Sequence, residues 1–323
     1  MPPATALAPE RPKTQRTRSE PSAAELKKAE DVAILEHAFS RDRLNWRNVD
    51  WVVTGYLITM HLGCVAAPFF VSWQAVVVCL VLHWLTCSIG ICLGYHRYLA
   101  HRSMKLRKPV EFCVLAAGAI SGEGSPLTWA ATHRLHHQKS DQEGDPHSPV
   151  RENGWWAHIG WLFPSRTSEA QQTLFRRYIP ELASNSMLQY FERTYPYWLW
   201  ASGLALLGIG YLLGGWASAI AFLVWGGCVR TTIAYHSTWF VNSATHLWGY
   251  RNYETRDESR NLWWVAVLSY GEGWHNNHHA HPSVAPAGHR WWEVDMTWWT
   301  IRLLQMTGLA YDVRTKIPAK HEG

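Results

Sequence analysis

Residues 51–96 read WVVTGYLITMHLGCVAAPFFVSWQAVVVCLVLHWLTCSIGICLGYH. The run holds two apolar stretches, 51–71 and 73–94, each about as long as the ~20 helical residues that cross a bilayer core. So little chain separates them that they must form an antiparallel hairpin. A second pair follows at 198–215 and 217–235, with Gly214 and Gly215 at the junction, where a tight turn is needed. Lys and Arg number nine in residues 1–50, twelve in 95–196 and eight in 236–323; Arg230 is the remaining one, and neither hairpin turn holds any. By the positive-inside rule both termini and the long central segment are cytoplasmic. The expected fold is an all-α membrane protein, with four transmembrane helices in two hairpins and a helical cytoplasmic cap.

The mean hydropathy of −0.19 hides this pattern, because the apolar residues are concentrated in two blocks. A net charge of +5 is mild, and no basic stripe or reader motif points to nucleic acid. Residues 1–45 are expected to be a disordered tail and 46–323 the integral-membrane domain; the first thirty residues are polar and lack the apolar core of a signal peptide. The apolar stretch 109–120 is too short to span, so an interfacial or re-entrant helix is expected there. Trp155, Trp156, Trp161, Trp263, Trp264, Trp291 and Trp292 suit either the membrane–water boundary or the core of the cap. The six cysteines lie in apolar stretches without a CxxC, which predicts neither disulfides nor a thiolate metal site.

Eight of the eighteen histidines fall into three tight clusters. His96 and His101 lie in GYHRYLAHR (94–102), at the cytoplasmic end of the second apolar stretch. His133, His136 and His137 lie in THRLHH (132–137), and His275, His278 and His279 in WHNNHH (274–279). The i, i+3, i+4 spacing of the last two puts three imidazoles on one helix face. Such a stripe is poor core design unless a shared metal satisfies the ring nitrogens. His96 and His101 are about 140° apart on a regular helix, so the helix must end or distort between them. Eight imidazoles exceed one tetrahedral site, and two metals are the natural count. All-nitrogen ligation admits Fe, Zn, Cu or Ni, and spacing does not choose among them.

These three boxes resemble those of the membrane fatty-acid desaturases, HxxxxH, HxxHH and HxxHH. The strings DPHSP (145–149), HIGW (158–161), WFVNSATH (239–246) and YGEGWHNNHH (270–279) extend the likeness to the Δ9 acyl desaturase branch, over about residues 50–315. The resemblance implies a ninth ligand, His246, and Asn242 one turn before it reaching a metal through water. It also implies two iron ions, with O2 as co-substrate, removing two hydrogens from an unactivated methylene pair to leave a cis double bond. Redox-active iron suits that chemistry where zinc is inert. Glu272, Asp145 and Asp141 are candidates to orient ligand N–H groups, with solvated or capping carboxylates as the plainer reading. Trp129, one turn before His133, is a candidate lining residue of the acyl tunnel; simple core packing is the alternative.

His147, His158 and His236 are candidates for supporting the ligands or meeting the lipid headgroup. His61 and His83, mid-span, are expected to make interhelical hydrogen bonds, and Arg230 to snorkel or pair. Animal acyl-CoA desaturases carry Arg-Asp before the second box, where this chain has Ala131 and Thr132. A basic pair after the Gly-Trp-Leu motif is also replaced, by Phe163, Pro164, Ser165 and Arg166. The likeness therefore leans to the cyanobacterial and plant plastid branch and to a glycerolipid substrate, with an acyl thioester less favoured. No cytochrome b5-like stretch is seen, so an external donor is expected, ferredoxin first and cytochrome b5 second. A same-scaffold hydroxylase or ketolase, and a non-enzymatic membrane metal-binding protein, are the other readings.

Overall fold

The computed structural model describes residues 22–317. Its first helix, α1 (Ala23–Phe39), runs through a stretch expected to lack structure. Ser22 and Glu25 form a reciprocal capping box, and Leu35, Ala38 and Phe39 are buried against the core. Arg176, in the helix Ser168–Tyr178, pairs with Asp31 at 2.7 Å. The disorder expected through residue 45 is thus corrected for residues 22–45. Apolar residues at i, i+3 and i+4 were present but outweighed by the surrounding charge. Residues 1–21 of the expected tail lie outside the described residues.

Three helical stretches are long and apolar enough to cross a membrane: Trp51–Phe70, Trp73–Ala100 and Ser186–His246. In α2 (Trp51–Ala66), capped by Asp50, only Leu57 is buried, while Val52, Ile58, Leu62 and Val65 point outward. An apolar exterior of this kind is what a lipid solvent selects. Ser72 caps α3 (Trp73–His83), which continues without a break as a π-helix from Trp84 to Ala100. The Ser186–His246 stretch, if straight, would be about 90 Å long, three bilayer cores. It is not straight. In α9 (Ser186–Phe222) the backbone leaves the helix at Gly214 and Gly215, and the chain folds back on itself. A Cβ at Gly210 would lie 2.7 Å from the Ala219 Cα, and one at Gly226 2.8 Å from Leu206 Cδ2. A short π segment, Leu223–Val229, joins this second arm to α10 (Arg230–Ser243). Relative to expectation, the first arm begins at 186 rather than 198, and the helix of the second apolar stretch ends at 100 rather than 94.

Helix α4 (Lys108–Ser121) is about 21 Å long at 1.5 Å per residue, short of a span. It packs along the π-helix through close backbone approaches, Gly90 against Ala117 and Gly118, and Gly94 against Val114. Buried Arg230 crosses to its C-terminal end, donating to the Ile120 and Ser121 carbonyls at 3.1 and 3.3 Å. The remaining helices are α5 (Pro126–Lys139), α6 (Gly154–His158), α7 (Ser168–Tyr178), α8 (Pro180–Ala183), α11 (Trp263–Leu268), α12 (His275–Ala280) and α13 (Met296–Met306). The all-α expectation needs one small amendment: β1 (Lys105–Leu106) pairs antiparallel with β2 (Ala310–Tyr311), Lys105 opposite Tyr311. This bridge fastens the C-terminal segment beside the end of the π-helix.

Candidate metal centre

The π-helix resolves the awkward spacing of the first histidine pair. The His101 N–H donates to the His96 carbonyl five residues back, at 3.1 Å, a π-type bond that closes the helix as it ends. Five residues then make one turn, and the two rings lie 4.8 Å apart between centroids. The expected distortion is present as a widening of the helix, followed by its end at Ala100.

Helices α5 and α12 each divide their three histidines. In α5, His133 and His137, one turn apart, join His96, His101 and His278. In α12, His275 and His279 join His136 and His246. Five imidazoles therefore converge at one point and four at another, the donor atoms in each group lying within 4.8 Å of one another. The i, i+4 pair of each box serves one site and its i+3 member the other, so both helices sit on the seam. All nine expected histidines are brought together, a partition that spacing alone did not reveal.

Carboxylates fix the tautomers. Nδ1 of His136 bonds Asp145 at 2.9 Å, and Nδ1 of His246 bonds Asp141 at 2.8 Å. Nδ1 of His96 lies 2.8 Å from Glu272, and Nδ1 of His279 2.8 Å from Asp257. The rings of His136, His246 and His279 give their N–H to the carboxylate and present the Nε2 lone pair to the cluster, the form a metal requires, while His96 stands at ion-pair distance from Glu272. In His136 and His279 that Nε2 is buried with no hydrogen-bond partner. A buried lone pair costs free energy unless something accepts it, and a cation here would. The donor set fits two ions.

Electrostatics favour the same state. Burial, then mutual repulsion, holds His133, His137, His275 and His278 well below the usual imidazole range, and burial brings His279 down to about 4 against the upward pull of Asp257. For His136 burial acts downward, but the adjacent Asp145 charge outweighs it. Burial raises the carboxylates, yet Asp145 and Asp257 end well below the usual range through their histidines. Glu272, against Arg97 and His96, is lowered to about 2.

A narrow cavity of about 40 Å³ opens between the two clusters, bounded by His96, His136, Trp129, Thr238 and Asn242 among others. Trp129 stacks on His133 at 5.0 Å and donates from its indole N–H to Glu123 at 3.2 Å, with Thr238 on the other oxygen at 2.7 Å. Sequence reasoning missed Asp257, Glu123, Thr238 and Arg97. Arg97 is buried, bonding Glu272 at 2.9 Å and Asp295 at 2.8 Å. Asp257 sits in a charged loop without a motif, and only its contact with His279 distinguishes it. Of the other histidines, His147 lies against His136, with ring centroids 4.3 Å apart. His61, His236 and His158 form a separate hydrogen-bonded row at 3.1 and 2.9 Å. His83 bonds Tyr270 at 2.7 Å, and since Tyr270 stands in a turn after Leu268 this is not the interhelical bond expected.

A long apolar helical frame closes nine histidines into two adjoining groups, each of which could hold a metal ion. Residues 71–315 match the family profile described as fatty acid desaturase. The chain is 42% identical over 282 residues to the sn-2 palmitoyl-lipid 9-desaturase of Nostoc sp. (strain 36), covering 87% of this chain and 96% of that protein. It is 44% identical over 268 residues to the sn-1 stearoyl-lipid 9-desaturase of Anabaena variabilis, covering 82% and 94%. Identity is 40% over 275 residues to the chloroplastic palmitoyl-monogalactosyldiacylglycerol delta-7 desaturase of Arabidopsis thaliana, covering 85% and 71%. The chain belongs to the fatty acid desaturase family and is an oxidoreductase of that family.

Proposed function

We propose that the chain is an O2-dependent Δ9 desaturase acting on a saturated acyl group carried by a glycerolipid. The observation that carries the chemistry is the pair of convergent imidazole clusters with a cavity between them. The identity to two lipid 9-desaturases supports the position and carrier. In this reading His96, His101, His133, His137 and His278 hold one iron and His136, His246, His275 and His279 the other. Asn242 supports the second through water. The irons, when bound, supply the redox chemistry that couples O2 reduction to removal of two hydrogens, with two electrons from an external carrier, ferredoxin or cytochrome b5, two protons from the medium, and two water molecules as the other product. The chain's own residues do the rest. Trp129 and Thr238 bound the space beside the clusters and set how deep an acyl chain enters. Asp141, Asp145, Asp257 and Glu272 keep each partner imidazole in its ligating tautomer. Residues 46–323 form the integral-membrane domain, with four spans in two hairpins, both termini and the metal centre being cytoplasmic.

Expression in a desaturase-deficient host, with fatty-acid profiling by lipid class and each donor supplied in turn, tests the reading. A new Δ9 monounsaturated chain, two hydrogens lighter and found first in a glycerolipid, is the expected result. A product heavier by one oxygen would mark a hydroxylase. Two irons per chain without turnover would mark a metal-binding protein. His136→Ala should abolish the product while the protein stays in the membrane fraction.

A further inference from the structure

The two histidine clusters differ in charge far more than in ligand count. In the four-histidine cluster three of the four rings are backed by carboxylates: His136 by Asp145, His246 by Asp141 and His279 by Asp257. Other donors hold these carboxylates in place: the Asp141 and His147 N–H groups bond Asp145, Ser148 and the Glu258 N–H bond Asp141, and Ser259 bonds Asp257. Among the described residues no lysine or arginine forms an ion pair with any of the three. The arginines of the neighbouring loop, Arg251 and Arg260, pair with Glu258 instead, at 3.9 and 3.0 Å. In the five-histidine cluster only His96 is backed by a carboxylate, and that carboxylate, Glu272, shares buried Arg97 with Asp295. His101, His133, His137 and His278 have no carboxylate partner among the described residues.

A carboxylate accepting the far N–H of a ligand raises its basicity and places negative charge near the metal, which stabilises the higher oxidation state. We infer that the two sites are unequal in redox potential. The four-histidine site is the harder to reduce, so the first electron delivered to the diferric pair (Fe³⁺ + e⁻ → Fe²⁺) rests at the five-histidine site. Asp141, Asp145 and Asp257 act here as positioning residues for charge. The inference rests on the proposed occupancy by two irons.

The test uses the full-length protein in lipid nanodiscs loaded with ⁵⁷Fe, reduced stepwise with dithionite and followed by Mössbauer and EPR spectroscopy. Iron content is measured first, so a failure to bind two irons counts against the proposed occupancy and is seen separately. With two irons present, the half-reduced protein should hold one localised ferric and one localised ferrous ion, with at least a tenfold preference, which corresponds to about 59 mV for one electron. Asp141→Asn and Asp257→Asn should each make the second reduction step easier and leave the first unmoved, whereas Glu272→Gln should move the first. Equal distribution of the electron, or Asp variants that shift the first step or both steps together, would overturn the assignment. The two Asp variants are independent, so loss of one to misfolding leaves the other decisive, and the wild-type spectrum needs neither.

Discussion

At the scale of single residues, a histidine ligand is steered by whatever its other nitrogen touches. Asp257→Asn keeps the shape and an acceptor for His279 but removes the charge 2.8 Å away. Metal affinity should fall about 10–100-fold, read as iron retained against a chelator series. Glu123 predicts a pH effect outside the ligand set. Burial raises its carboxyl to about 7, despite the Thr238 and Trp129 hydrogen bonds that act downward. An acid whose folded value exceeds its ordinary 4.5 contributes stability in full below 4.5 and loses it as pH rises through 7. The thermal midpoint of the wild type should therefore fall relative to Glu123→Gln across that window, by an amount equivalent to at most about 3 kcal/mol. A parallel pair of curves would refute it. Asp141, Asp145 and Glu272 were legible because they stand in or beside recognisable strings. Asp257 and Arg97 were not, since their meaning lies in partners 22 and 175 residues away.

At the scale of elements, the spacing of His96 and His101 foretold a distorted helix, but only the i to i+5 bond says how. The sequence pattern located the turn at Gly214 and Gly215, and the structure supplies its cause. Gly215 has φ +67° and ψ −161°, a region essentially confined to glycine. Gly215→Ala should destabilise the fold by about 1–3 kcal/mol, measured as a drop in the thermal midpoint in detergent. Gly208→Ala serves as the control, because a Cβ there meets nothing within 4 Å. Helix α1 escaped notice for the opposite reason. Its buried positions are few, and the tie through Asp31 to Arg176 cannot be seen before the fold is known.

For the whole molecule, the apolar blocks located the helical stretches that are long and apolar enough to cross a membrane. The division of nine ligands between two sites is tertiary information, fixed by how α5 and α12 face each other across the seam. The proposed topology has a direct check. In a background with the six native cysteines replaced, Ser72→Cys should react with a membrane-impermeant thiol reagent only from the side opposite both termini. Arg256→Cys, in an exposed cap loop, should react only from the side of the termini. Equal labelling of both from one side would break the arrangement.

The ligands are also spread along the chain in a telling order. His96 and His101 are followed at intervals by His133, His136, His137 and His246, and the last three come at 275, 278 and 279. Each of the two sites needs a member of that last group: His278 for one, His275 and His279 for the other. Neither can close until residues 275–279 of the 323 have been made. On the proposed function metal insertion would be the final act of biogenesis, and a ribosome stalled before residue 275 would leave a chain unable to be charged with metal.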